Sequence, residues 1–155
     1  GLYNKETTEQ LTDELLSEDE NKYHAFLILD VDCFKQINDI YGHAVGDIVL
    51  QKFGKLLKGT FREGDILGRI GGDEFGVIMK NIQTKDIAMK KAEELLAKTQ
   101  AYKIDELKGN NISISIGIST APQDGDCYMD LYKRADQALY QAKRSGKARV
   151  CNYFS

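Results

Sequence analysis

The sequence ILGRIGGDEFGVIM, at residues 66–79, decides the fold of this chain. Two apolar runs of strand length, Ile66–Ile70 and Phe75–Met79, flank the four residues GGDE. Paired glycines can adopt positive φ, so we expect Gly71 and Gly72 to form the tight turn of a β-hairpin. The fold therefore contains at least one antiparallel strand pair, and the turn carries two carboxylates, Asp73 and Glu74.

Strand-like and helix-like patterns alternate on both sides of the hairpin. Apolar residues at helical spacing predict helices over 7–17, 34–41, 44–58, 84–102 and 130–144. Further strands are predicted over 24–30, 111–119 and 149–153. In 111–119, isoleucines alternate with serine and glycine, which predicts a half-buried strand. The order of elements indicates an α/β (α+β) sandwich with a mixed or mainly antiparallel sheet.

Composition is typical of one globular domain. The chain has 155 residues, of which 42% are hydrophobic and 29% charged. No apolar run is long enough to span a membrane, and no secretory signal opens the chain. A net charge of −3 argues against a nucleic-acid-coating protein. Three cysteines fit no zinc pattern, so we expect free thiols in a reducing compartment.

The first candidate site begins where a buried strand ends at Asp30. Asp32 follows, a helix begins directly afterwards, and Lys35 lies in its first turn. Carboxylate oxygens suit a hard cation such as Mg²⁺, and the free N–H groups of a helix start can bind phosphate. Alternatively, Asp30 or Asp32 only caps the helix.

The hairpin turn supplies the second candidate cluster. If the hairpin pairs with the strand that ends at Asp30, then Asp30, Asp73 and Glu74 converge on one metal site. Carboxylates that hold paired metals favour phosphoryl or nucleotidyl transfer. The alternative is a solvated hairpin turn with no ligand.

Two weaker signals concern nucleotide recognition. Asn38 and Asp47 could read guanine, because a carboxylate accepts from its N1–H and N2–H₂ groups, although a helix cap and turn explain them equally well. Basic side chains also gather around the end of the last helix, where they could bind phosphate or simply complement the helix dipole. They are Lys143, Arg144, Lys147 and Arg149.

Read together, six stretches in order resemble the GGDEF family, the diguanylate cyclases. They are GLYNK at 1–5, LDVDCFKQIND at 29–39, YGHAVGD at 41–47, RIGGDEF at 69–75, SISIGIS at 113–119 and ADQALYQAKRSGK at 135–147. The resemblance implies a sheet of about five strands flanked by helices, similar to polymerase palms and class III nucleotidyl cyclases. It also implies that residues 1–155 form one such domain, the C-terminal part of a longer signalling protein.

The resemblance assigns roles to individual residues. Two Mg²⁺ (or Mn²⁺) ions would be held by Asp30, Asp73 and the carbonyl of Val31. Glu74 would ligate metal or help to deprotonate the attacking 3′-hydroxyl. Asn38 and Asp47 would read guanine. The phosphates would be bound by the backbone N–H groups of Cys33 and Phe34 and by the side chains of Lys35, Lys143 and Lys147.

The implied reaction condenses two GTP molecules into cyclic di-GMP and two pyrophosphates across a homodimer. The alternative is a non-catalytic module that binds GTP or cyclic di-GMP, but members of that kind usually lose the hairpin carboxylates, which are kept here. No nucleic acid or membrane contact is expected of this segment, and a cytoplasmic location is expected. The full-length protein could be anchored by a preceding region.

A further match predicts product inhibition. Arg62 and Asp65 form an RxxD motif at the family's inhibitory position, where Arg62 would pair with phosphate or guanine of cyclic di-GMP and Asp65 with a guanine edge. The alternative is a charged turn before a strand. Helix 84–102 has lysines but no arginine to add to this site. Ala148 stands where the family commonly has asparagine.

Overall fold

The computed structural model describes residues 2–18 and 21–153. The helices are α1 Lys5–Glu18, α2 Phe34–Tyr41, α3 His43–Thr60, α4 Lys85–Ala101 and α5 Tyr128–Arg144, with a short 3-10 helix at Asp105–Leu107. The strands are β1 His24–Val31, β2 Ile66–Arg69, β3 Glu74–Met79, β4 Ile114–Ala121 and β5 Val150–Asn152. These bounds confirm each element expected from the sequence, with ends that differ by at most three residues. Gly1, the first residue of the GLYNK match, lies outside the described residues.

The five strands form one sheet in the order β2-β3-β1-β4-β5. Every pair is antiparallel except β4 and β5, so the predicted mainly antiparallel mixed sheet is confirmed. The N-terminal segment extends the β2 edge through a bridge between Tyr3 and Gly68. Strand β1 lies at the centre, which places its last residues between neighbours on both sides.

Helices cover both faces of this sheet. Alternate residues of β1 enter two separate cores: Leu27 and Leu29 pack with α3 and α4, whereas Phe26 and Ile28 pack with α1 and α5. On the first face, Phe53 of α3 meets Phe75 edge to face at 5.1 Å between ring centroids. The central strand is therefore apolar along almost its whole length, as expected of a strand that is buried on both faces.

The expectation of a half-buried β4 was wrong. Both faces are buried, including Ser115 and Ser119, because α5 packs against the side that carries serine and glycine. Gly117 allows this packing: a Cβ there would lie 2.9 Å from the Cα of Leu139. Ser119 donates to the Leu131 carbonyl at 2.8 Å, so its buried hydroxyl is satisfied within the same interface.

Helix α5 is also tied to the opposite end of the chain. The Asp13 carboxylate of α1 accepts a hydrogen bond from the Tyr128 N–H at 2.8 Å, which caps the start of α5 with a side chain from another helix. Within residues 2–18 and 21–153, no helix is both long and apolar enough to cross a membrane.

Candidate active site

The acidic residues of β1 and of the hairpin lie side by side. In the antiparallel register of β1 and β3, Asp30 is directly opposite Glu74, and Asp73 precedes Glu74 at the hairpin turn. The charges of Asp73 and Glu74 both act on Asp30 and favour its protonated form. The structure thus brings together the three carboxylates that the sequence predicted to converge.

Asp30 is half-buried, and its two oxygens have different surroundings. Its Oδ2 pairs with Nζ of Lys143 from α5 at 2.9 Å, and 16% of its side chain is exposed. Its Oδ1 is buried and accepts no hydrogen bond. Burial raises the pKa of Asp30 to about 6, and the Lys143 ammonium opposes this rise without cancelling it. An acceptor oxygen inside the acidic cluster is therefore left without a partner.

Glu74 is held by a residue that the sequence analysis did not identify. The hydroxyl of Tyr132, on α5, donates to Oε1 of Glu74 at 2.8 Å. Burial raises the pKa of Glu74, the Tyr132 hydrogen bond lowers it, and the charges of Asp136 and Asp73 raise it further. The only sequence signal for Tyr132 was its position in a predicted helix. Helical spacing alone does not indicate which turn of α5 faces the hairpin.

The hairpin turn is shaped by hydrogen bonds rather than by positive φ. The N–H groups of Ile70 and Gly71 donate to the Glu74 carbonyl, and the guanidinium of Arg69 donates to the Gly72 carbonyl from Nε at 3.1 Å and Nη2 at 2.6 Å. The expected turn is present, but neither Gly71 nor Gly72 adopts positive φ in it. A Cβ on Gly72 would meet nothing within 4 Å, so the turn is open to an approaching ligand.

The turn between β1 and α2 is organised by Asp32. Its carboxylate accepts from the hydroxyls of Ser113 at 2.6 Å and Ser115 at 2.7 Å and from the N–H of Ala148 at 3.1 Å. The alternative interpretation of Asp32 as a helix cap is therefore wrong: Cys33 occupies the N-cap position of α2, with no side-chain cap. Asp32 instead joins the end of β1 to β4 and to the segment after α5.

The predicted phosphate-binding residues surround this turn. Cys33 adopts φ 56°, which lies in the left-handed region, and immediately precedes Phe34 at the start of α2. Lys147 donates from Nζ to the Cys33 sulfur at 3.2 Å, and this contact raises the pKa of Lys147. Lys35 is exposed on α2, and Lys143 is the partner of Asp30. Lys143 and Lys147 thus lie close to the end of β1, one on Asp30 and the other on Cys33.

The two residues expected to read guanine lie on adjacent helices. A Cβ built on Gly46 would collide with Oδ1 of Asn38, so the Asn38 amide lies against the backbone of α3 directly before Asp47. Asn38 is half-buried and Asp47 is exposed. A side chain at position 46 would therefore displace the Asn38 amide from this position.

The RxxD residues form a compact loop apart from the acidic cluster. Asp65 is buried and accepts from the Arg62 N–H at 3.3 Å, from Nη2 of Arg62 at 3.1 Å and from the Lys80 N–H at 3.1 Å. Arg62 also donates to the Lys80 carbonyl, while 59% of its side chain stays exposed. These contacts agree with a structured turn and leave the outer part of the guanidinium accessible.

The three cysteines are free thiols, as expected. Cys33 is exposed, and Cys127 and Cys151 are partly buried at the start of α5 and in β5.

Comparisons with known proteins identify the family. The family model described as the diguanylate cyclase GGDEF domain matches residues 1–149. Diguanylate cyclase A of Treponema denticola is 40% identical over 127 residues, which cover 81% of this chain and 34% of that protein. The chain belongs to the GGDEF family of diguanylate cyclases. It spans between 28% and 43% of the length of the first curated relatives that it matches.

Solved structures agree with this assignment. The GGDEF domain of TpbB (YfiN) from Pseudomonas aeruginosa superposes with a TM-score of 0.94 at 32% identity, covering 100% of this chain and 98% of that one. The GGDEF domain of DgcB from Caulobacter crescentus, solved in complex with c-di-GMP, has a TM-score of 0.88 at 26% identity, with 97% and 91% covered. The five-stranded sheet and its flanking helices are therefore those of the family.

Proposed function

We propose that this chain is the catalytic domain of a diguanylate cyclase that condenses two GTP molecules into cyclic di-GMP. The observation that carries the proposal is the convergence of Asp30, Asp73 and Glu74, which the pairing of β1 with β3 brings side by side. Family membership supports the same class of enzyme.

The donor set at this cluster fits a divalent metal, as is general in the family. Three carboxylates offer the oxygen ligands that Mg²⁺ or Mn²⁺ prefers, and Oδ1 of Asp30 is a buried acceptor without a partner. Asp30, Asp73, Glu74 and the Val31 carbonyl would hold two ions per site. When bound, such ions neutralise charge on a triphosphate and on the attacking and leaving oxygens.

The protein groups around the cluster would bind and orient GTP. The N–H groups of Cys33 and Phe34 and the ammonium groups of three lysines would bind the β- and γ-phosphates. The lysines are Lys35, Lys143 and Lys147. Asn38 and Asp47 would select guanine. Lys143 pairs with Oδ2 of Asp30 in this structure. If the Lys143 side chain moved to a phosphate, that oxygen would become available to a cation.

The reaction requires two copies of the domain. The 3′-hydroxyl oxygen of each GTP attacks the α-phosphorus of the other; each new P–O bond replaces the bond to a leaving pyrophosphate, and each hydroxyl proton passes to a base. Glu74 is the candidate to assist this proton transfer, because burial raises its pKa. A homodimer supplies the second half-site at high effective concentration.

The test of activity compares two glutamate variants in the dimerised domain with GTP and Mg²⁺, with cyclic di-GMP measured by chromatography. Glu74→Gln should abolish product, whereas Glu93→Gln, which changes an exposed side chain on α4, should leave it unchanged. Full turnover by Glu74→Gln would contradict the assigned role. Tight GTP binding by the unaltered domain without any product would favour the non-catalytic module.

We propose in addition that Arg62 and Asp65 bind cyclic di-GMP as an inhibitory site. The exposed guanidinium of Arg62 supports this role, because its planar donors suit phosphate or the guanine edge. Arg62→Ala keeps two of the donors to Asp65, the N–H groups of residues 62 and 80, so the loop should persist. Product inhibition should weaken in Arg62→Ala and stay unchanged in Lys103→Ala, an exposed cation elsewhere. Undiminished inhibition would make the motif a surface turn only.

A further inference from the structure

Tyr132 contacts the acidic cluster from a helix to which the proposed mechanism assigns only Lys143. Its hydroxyl donates to Oε1 of Glu74 at 2.8 Å. Among residues 2–18 and 21–153, this is the one side-chain hydrogen bond that the Glu74 carboxylate receives. The position of Glu74 is thus determined by a neutral donor on α5.

The ring of Tyr132 is fixed by aromatic packing. Its centroid lies 5.9 Å from that of Tyr128, which in turn meets Phe26 of β1 edge to face at 5.4 Å. Tyr128 is buried, and its N–H is held by Asp13 of α1. The position of the hydroxyl is therefore set by the core of the domain and not by a free surface rotamer.

The charges around Glu74 explain why a neutral donor is needed. Asp73 and Asp136 each act unfavourably on the ionised Glu74, Lys143 offsets part of this, and Asp30 lies directly opposite it. Repulsion among these carboxylates favours rotamers of Glu74 that turn away from the cluster. A hydroxyl can hold one oxygen in place without adding a positive charge that would compete with a bound cation.

We infer that Tyr132 is a positioning residue that holds Oε1 of Glu74 and leaves Oε2 available to a divalent cation. This inference rests on the proposed function. Partners that orient metal ligands in this way change metal affinity or activity by about 10- to 100-fold when they are removed. The hydroxyl of Tyr132, rather than its ring, should carry this effect.

Tyr132→Phe tests the inference because it removes only the hydroxyl and keeps the ring that packs against Tyr128. Mn²⁺ affinity is measured by electron paramagnetic resonance in the presence of a non-hydrolysable GTP analogue, together with kcat and KM for GTP. We expect Mn²⁺ affinity and kcat to fall by about 10-fold or more, with KM and the thermal midpoint unchanged. Tyr140→Phe is the matched control, since Tyr140 lies on the same helix with 59% of its surface exposed.

A double-mutant cycle with Glu74→Gln separates positioning from a general structural effect. The inference predicts that Tyr132→Phe weakens Mn²⁺ binding in the otherwise unaltered domain and has little further effect in the Glu74→Gln background. Unchanged Mn²⁺ affinity in Tyr132→Phe, or equal weakening in both backgrounds, would overturn it. If Glu74→Gln alone left Mn²⁺ affinity unchanged, the metal-binding role of Glu74 in the proposed function would fail instead.

Discussion

Replacement of Asp30 by asparagine should stabilise the metal-free domain at neutral pH. Asp30 is half-buried beside two other carboxylates, and only one of its oxygens has a partner. Its ionised form is therefore unfavourable in the folded chain, and its pKa is raised to about 6. An amide of the same shape behaves like the protonated carboxyl and carries no charge into the cluster.

The raised pKa sets both the sign and the size of this effect. In the unfolded chain Asp30 ionises near its ordinary pKa of 3.8, and in the folded chain near 6. As pH rises between these values the unfolded state loses its proton first, so the free energy of unfolding falls. Each pH unit between the two pKa values is equivalent to about 1.4 kcal/mol, which gives a loss of about 3 kcal/mol by pH 7.

Urea denaturation of the unaltered domain and of Asp30→Asn, in EDTA and at intervals from pH 4 to pH 7.5, measures this loss. The two proteins should be similar in stability near pH 4, and Asp30→Asn should be more stable by about 3 kcal/mol at pH 7. Asp39→Asn is the control, because this exposed carboxylate is outside the cluster. Saturating Mg²⁺ with a GTP analogue should stabilise the unaltered domain and not Asp30→Asn. Parallel stability curves for the two proteins across this pH range would refute the reasoning.

Two further substitutions test the packing of α5 on β4 and the backbone conformation at Ala148. In thermal denaturation, Gly117→Ala should destabilise the domain by about 3 kcal/mol, because its Cβ would lie 2.9 Å from the Cα of Leu139 on α5. The control is Gly59→Ala on α3, whose Cβ would meet nothing within 4 Å. This control should be neutral or slightly stabilising. Ala148→Asn should stabilise the domain by about 1 kcal/mol, because Ala148 has φ 51° and asparagine tolerates this region better than alanine. The same change at exposed Ala97 within α4 should destabilise, so a loss of stability in Ala148→Asn would contradict the backbone argument.

The sequence was sufficient to predict the fold because its strands and turns are strongly patterned. The hairpin at 66–79 requires antiparallel pairing, and the continuous apolar run of β1 is typical of a central strand. The alternation in β4 was misleading, because serine and glycine form an unusually small face against which α5 packs closely. Residue size, and not polarity, decided burial there: Gly117 leaves room for the helix backbone, and Ser119 bonds to it.

The candidate site was predicted less completely. The expected pairing of the hairpin with the strand that ends at Asp30 is present, and its register places Asp30 opposite Glu74 and beside Asp73. The contacts of Tyr132 and of Asp32 could not be predicted, because they depend on the rotation of α5 about its axis and on the register of β1 with β4. Hydrogen bonds between residues that are distant in the sequence leave no periodic pattern.

The carboxylate cluster works against the stability of the metal-free fold. Asp30 and Glu74 both have raised pKa values, and the ammonium of Lys143 reaches only one oxygen of Asp30. A single positive charge from a flexible side chain therefore does not balance the three carboxylates. A divalent cation would satisfy Oδ1 of Asp30, reverse the unfavourable ionisation and release Lys143 for phosphate. The ionised carboxylates lower the free energy of unfolding at pH 7 without metal, and a bound cation would recover this loss as binding energy. The proton and the cation should therefore compete for the same oxygen atoms.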